Sequence, residues 1–200
     1  MALALAVVGL GRAGRARVSA LEGHPRARLA ATVSRELGAV ATTFESALDD
    51  PAIDGVILCT PNRQHAPAAR AALERGKHVL VEFPLAETAR EGAELFNCAR
   101  RQQRVLHVEH IELLSPSQKY QRQRVRELGS LLGGGLVFTA SDEGWIGDAE
   151  QAGSPGLRAV ARLHRLLDLF GEAEVSEACV EPRSAGGYRL EVELGFRSGG

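Results

Sequence analysis

The chain has 200 residues, 44% of them apolar and 24% charged, with a formal net charge of −1. That supply of apolar residues suits one or two domains with real cores. The near-neutral balance excludes the basic footprint of a nucleic-acid or membrane-surface binder, so small molecules are the expected partners.

Cys59, Cys98 and Cys179 are widely spaced and form no CxxC pair. Neither a zinc ribbon nor a disulfide framework is indicated, and reduced thiols, no metal site and a cytoplasmic location are expected. No stretch approaches the ~18 apolar residues of a membrane span. The apolar start lacks a preceding basic residue and runs into a glycine-rich turn, which reads as a first strand and not as a secretory leader.

In chain order, Leu3–Val8 is a continuous apolar run, as a parallel strand buried on both faces would be. A helix is predicted over Arg12–Leu21 and strands over Arg28–Val33 and Asp54–Thr60. Gln64–Arg75 reads as a helix stopped by Gly76, a left-handed cap. A strand follows at Lys77–Glu82. Thr88-Ala89-Arg90-Glu91 is a capping box opening a helix over Ala89–Gln102.

Arg104–Glu109 is the next strand, and Ser115 opens a helix to about Leu128, with Pro116 tolerated in its first turn. This alternation predicts an α/β fold with a Rossmann-type, doubly wound parallel sheet over residues 1–128. Residues 129–200 read as an incomplete α+β domain with a mostly antiparallel sheet. Its expected strands are Gly134–Ala140, Ala173–Glu181 and Gly187–Phe196, with a helix over Leu157–Leu169.

The motif Gly9-Leu10-Gly11-Arg12-Ala13-Gly14 follows a strand and opens a helix. Gly9 permits a tight turn, Gly11 lets backbone approach a pyrophosphate, and Gly14 allows close helix–strand packing. The helix start then supplies amide donors to the phosphates. About twenty residues downstream, where NAD sites usually place an acid, stand Ser34 and Arg35. A hydroxyl and a guanidinium suit a 2′-phosphate, so NADPH is favoured as cofactor. Glu36, next in line, keeps ribose binding and NADH open as the alternative.

The stretch Val56–Asn62 (VILCTPN), His65, and Ala72–Ala86 (ALERGKHVLVEFPLA) resembles the Gfo/Idh/MocA oxidoreductase family. The resemblance implies that Cys59, Thr60, Pro61, Asn62, His65, Glu82 and Pro84 line the nicotinamide side of the cofactor. One position departs: Phe83 stands where most of the family carries a catalytic lysine. A phenyl ring transfers no proton, which argues against sugar or polyol oxidation.

GLGRAG, Val33–Gly38 (VSRELG), Lys77–Pro84 (KHVLVEFP), Val105–Leu114 (VLHVEHIELL), Gly129–Ala140 with its LVFTA end, and Ala161–Leu163 with Leu169–Glu172 are similar to the biliverdin reductase branch of that family. An aromatic residue replaces the lysine there too. This resemblance implies NADPH-dependent reduction of biliverdin, a tetrapyrrole, and a longer chain, so a C-terminal part is expected to be missing. Arg162 matches an arginine proposed to position substrate or assist protonation. Arg158 and Arg165, three or four residues away, compete for the role.

Glu82, Phe83, Glu109 and Glu112, which lie at or after strand ends, complete the candidate catalytic set. Alternation places His107 and Glu109 on one side of their strand and His110 opposite. A monomer is expected. Two alternatives stay open: another family member acting on a small carbonyl or diol, suggested by Thr60-Pro61-Asn62, and a non-catalytic dinucleotide-binding fragment.

Overall fold

A computed structural model describes residues 2–34, 42–129, 132–139, 147–182 and 187–197. Its first half repeats one unit, an apolar strand followed by a turn and a helix. Strands β1 (Leu3–Val8), β2 (Ala27–Val33), β3 (Gly55–Leu58), β4 (His78–Val81) and β5 (Leu106–Val108) form one sheet in the order β2-β1-β3-β4-β5. Every neighbouring pair is parallel, as expected for a doubly wound fold. The chain runs from β1 outward to β2 and then crosses to β3 on the other side. Sheets of this kind bind ligands outside the carboxyl ends of the strands at that reversal.

All four residues of β3 are buried, the mark of a strand covered on both faces. The helices of this half are α1 (Arg12–Leu21), α2 (Phe44–Asp49), α3 (Asn62–Glu74) and α4 (Ala89–Arg101). Ala66, Ala69 and Leu73 of α3, and Leu95 and Cys98 of α4, recur at helical spacing and join Val56, Leu58, Val79 and Val81 in one buried cluster. Leu73 and Leu95 are fully buried, each contributing about 2 kcal/mol.

Thr88 Oγ1 accepts from the Glu91 N–H at 3.2 Å, as the capping box requires. Gly76, at φ 72°, ends α3 as expected. Helix α2 is an addition to the expected elements; Thr43 caps it by accepting from the Ser46 N–H.

The chain divides into two compact units, residues 1–109 and 110–200. The division falls before α5 (Pro116–Leu128), whereas the sequence suggests it after Leu128. Helix α5 packs with a 3-10 turn over Ile111–Leu114 and with α7 (Val160–Phe170), so it belongs to the second unit.

Two expectations for this unit are corrected. Residues 134–139, the described part of the strand expected at Gly134–Ala140, carry no strand. None of the described residues pairs with them in a ladder, and Val137 is 96% exposed, so neither ladder nor burial favours a strand there. The helix expected over Leu157–Leu169 is split into a 3-10 turn, Pro155–Ala159, and α7, after the short α6 (Ala149–Ala152). Strands β6 (Ala173–Pro182) and β7 (Tyr188–Phe196) form an antiparallel pair running from Ala173 opposite Phe196 to Pro182 opposite Tyr188. Their register shifts between Val175 and Glu177.

Candidate functional site

The glycine motif forms the turn from β1 into α1. Gly9 has φ +88°, and a Cβ there would stand 2.5 Å from the Cys59 carbonyl oxygen. Its N–H donates to the Val33 carbonyl at 2.8 Å, which ties the turn to the end of β2 beside Ser34. A Cβ on Gly14 would meet the Gly9 carbonyl oxygen at 1.8 Å, so helix and turn touch backbone to backbone. Gly11 is the opposite case: it is exposed, and nothing lies within 4 Å of a Cβ there.

The loop is thus closed on the protein side and open at the helix start. That is the shape a pyrophosphate needs, with the first amides of α1 pointing outward. Arg12, Leu10 and Ala13 flank this opening by sequence, and Arg15 Nη1 donates to the Leu10 carbonyl at 2.8 Å. Ser34 is half-buried at the end of β2. Arg35 and Glu36 lie outside the described residues.

The other candidates of this unit gather where β3, β4 and β5 end. Cys59, Thr60, Glu82 and Glu109 follow these strands directly. Pro61 precedes α3 as its cap, and Asn62 is its buried first residue. His65, 1% exposed, has Nδ1 2.7 Å from the Pro84 carbonyl oxygen and Nε2 2.7 Å from that of Thr60. Burial pulls its pKa below the ordinary value, against the opposing pull of those carbonyls and of the Glu82 charge. The neutral ring then gives its single N–H to one of the two carbonyls.

His65 thus lies between the Thr60 loop and the Phe83-Pro84 loop, whose peptide bond is cis. Thr60 Oγ1 is buried with no hydrogen-bond partner among the described residues, an orphan that a ligand polar group would satisfy.

Arg17 carries no motif and is absent from the expected site. It nevertheless organises this end of the sheet. Its Nε and Nη2 lie 2.8 and 2.7 Å from Glu82 Oε1, and Nη2 lies 3.7 Å from Glu109 Oε1. Burial opposes the arginine's charge, but the hydrogen bond and charge of Glu82, with the charge of Glu109, hold its pKa above the usual value. A helical reading could have found it: Arg17 lies three residues after the buried Gly14, on the face that α1 turns to the sheet.

Cys59 Sγ is 3.8 Å from Glu82 Oε1. Burial, and next the Glu82 charge, push its pKa up to about 12, so the thiol stays protonated and donates. The expected alternation around Glu109 does not extend past β5, which ends at Val108: Glu109 is buried and His107 exposed.

Glu112 and Arg162 belong to the second unit and form an ion pair with each other. Arg162 also stacks on the Phe138 ring, with Cζ 4.4 Å from its centre. Arg165, the competing arginine, reaches the same carboxylate, with Nη1 3.9 Å from Glu112 Oε2, and also donates to Gln118 Oε1 and Gln121 Oε1, both at 2.9 Å. His110 and His164 bring their Nδ1 atoms to 3.1 Å. Arg158 has no described side chain. Among the described residues no group of three or more potential ligands could hold a metal ion, and no helix is long and apolar enough to cross a membrane.

Residues 3–110 match the oxidoreductase family with an NAD-binding Rossmann fold, Gfo/Idh/MocA. The chain belongs to this family. It is 38% identical over 197 residues to biliverdin reductase A of Mus musculus, covering 94% of this chain and 65% of the mouse protein. Against biliverdin reductase A of Homo sapiens the identity is 35%, over 91% of this chain and 63% of the human protein.

Among solved structures, biliverdin reductase from Synechocystis sp. PCC 6803, in complex with biliverdin and NADP+, superposes with a TM-score of 0.76. It is 29% identical, and the match covers 90% of this chain and 61% of that one. The chain thus spans just under two thirds of the length of these relatives.

Proposed function

We propose that the protein reduces biliverdin to bilirubin with NADPH. The observation that carries this reading is the similarity to biliverdin reductase A across 94% of the chain, joined to Phe83 in place of the family lysine. An oxidoreductase without that lysine suits a reaction whose difficult step is hydride addition to carbon and not proton removal from an alcohol. Bound NADPH supplies the hydride; biliverdin takes it at the central methine carbon and takes a proton at a pyrrole nitrogen.

The chain's own residues serve that reaction by position. Gly9, Gly11 and Gly14 shape the turn, and the first amides of α1 with Arg12 receive the pyrophosphate. Ser34, at the end of β2, stands on the side where the ribose 2′-phosphate of the adenosine half would lie, and Arg35 is the next residue in the sequence. The nicotinamide half would then extend the other way, over the ends of β3, β4 and β5. There Thr60, Pro61, Asn62 and His65 hold one loop, Glu82 and Phe83 the next, and Glu109 the third.

Phe83 offers an apolar face and no proton. Arg162, held by Glu112, is the cation that would orient the propionates or the pyrrole nitrogen of the substrate. Mixing the protein with NADPH and biliverdin and following the rise of bilirubin absorbance tests the proposal. Cofactor binding without any turnover would sink it.

A second reading has one observation in its favour. Thr60-Pro61-Asn62 matches the wider family, so a small carbonyl or diol substrate is the alternative. Cofactor absorbance changing with such substrates, and not with biliverdin, would establish it.

A further inference from the structure

We infer that Arg17 is a positioning residue that fixes the Glu82-Phe83-Pro84 loop against the cofactor helix, so that the nicotinamide half meets a preset wall. The inference rests on the cofactor placement proposed above and goes beyond it. Arg17 stands on α1, the helix whose first turn would receive the pyrophosphate, and its guanidinium leaves that helix to grip residues following β4 and β5.

Both short contacts fall on Glu82 Oε1, at 2.8 and 2.7 Å, with Glu109 Oε1 at 3.7 Å. The side chains of Arg17, Glu82 and Glu109 are 22%, 17% and 7% exposed. Carboxylates this far from water repel one another unless a cation stands between them, and the arginine fork supplies that cation with fixed direction. Cys59 donates to the same Glu82 oxygen from the end of β3. One side chain of α1 therefore ties together the loops after β4 and β5, and through Glu82 the residue that follows β3, Cys59.

Losing Arg17 would leave two carboxylates facing each other with one weak thiol donor. The loop would then lose its fixed position, while the glycine turn, whose shape comes from the close backbone packing of Gly9 and Gly14, keeps its form. The effect should therefore divide the dinucleotide into halves: the nicotinamide end suffers and the adenosine end does not.

The test titrates the protein and its variants R17M, R17K, E82Q and R17M/E82Q with NADPH and with 2′,5′-ADP, which has the 2′-phosphate and no nicotinamide. R17M is expected to weaken NADPH about tenfold while 2′,5′-ADP stays within about twofold. R17K, which keeps the charge without the fork, should recover part of the loss. In the E82Q background R17M should add little, because the arginine acts through that carboxylate.

Equal weakening of both ligands, or a full R17M effect in the E82Q background, overturns the inference. Should R17M fail to fold, R17K and E82Q carry the same comparison between ligands. Neither ligand is a bilin, so the outcome is separate from the reductase proposal. A protein that binds both ligands but leaves biliverdin unreduced sinks only that proposal; one that binds neither sinks both.

Discussion

Gly14 and Gly9 meet backbone to backbone: a Cβ on Gly14 would stand 1.8 Å from the Gly9 carbonyl oxygen. Gly11, between them, has open space where its side chain would be. The two glycines should therefore respond differently to the same change. Gly14→Ala forces helix and turn apart and should cost roughly 3 kcal/mol of stability, or abolish folding. Gly11→Ala should leave the melting temperature within about 2 °C and weaken NADPH at least about tenfold. Thermal melts and cofactor titration of the two variants check this. A Gly11→Ala protein that binds NADPH normally would remove the pyrophosphate from that opening.

His65 gives a pH dependence whose sign follows from its lowered pKa. The folded state holds the ring neutral, while the unfolded chain takes up a proton near pH 6.5. Its contribution is therefore complete above about pH 6.5 and is lost as the pH falls toward the folded value. His65→Gln keeps an amide donor for one carbonyl and removes the titration. Urea midpoints at pH 7.5 and 5.5 should fall less for the variant than for the native protein. His65→Ala removes the one N–H, leaves a buried carbonyl without its donor, and should cost about 1–3 kcal/mol at neutral pH.

The thiols should separate cleanly by reactivity. With its pKa pushed up to about 12, Cys59 is almost entirely protonated at pH 8, and Cys98 is buried. Cys179 is exposed on β6. Iodoacetamide at pH 8 is expected to label Cys179 first, as read by mass spectrometry of the peptides. Cys179→Ala should then remove nearly all early labelling; rapid labelling of Cys59 would contradict its protonated state.

Arg162 is the substrate-side candidate of the second unit. If it orients the bilin, Arg162→Met lowers kcat/KM for biliverdin by at least about tenfold and leaves NADPH affinity unchanged. Arg165, engaged with Gln118 and Gln121, is the internal comparison: Arg165→Met should chiefly affect stability. Steady-state kinetics on the two variants decide between the arginines.

How far these features could be read from residues depends on the range of the forces behind them. Strand β1 and helix α1 have the expected bounds, because an apolar run and a glycine turn are local signals. Helix α2 escaped notice because six residues show too little periodicity to stand out. The segment 134–139 looks like a strand, but a strand needs a neighbour, and sequence pattern does not report whether one is present. Helix α5 joins the second unit through Gln118 and Arg122, which reach Asp168 on α7.

At the site, the glycines and the residues after each strand could be named because motif and strand end are both sequence features. Arg17 was legible only as a residue on the inward face of α1, three after Gly14; its partner was not, since Glu82 lies 65 positions away along the chain. What the residues also left open is that the candidates fall into two clusters, Glu82 with Glu109 and Glu112 with Arg162. The compact units divide between Glu109 and His110, so the VLHVEHIELL segment feeds both.

The β6–β7 pair ends the described chain with nine of the ten residues of β6 exposed to solvent. A ladder bathed on both sides opens by fraying and does not wait for the molecule to unfold. Its amides should trade hydrogen for deuterium long before those of β3, which is buried throughout. The time course of exchange along this one polypeptide would then read out a gradient, slowest in the sheet that carries the glycine turn and fastest in the hairpin.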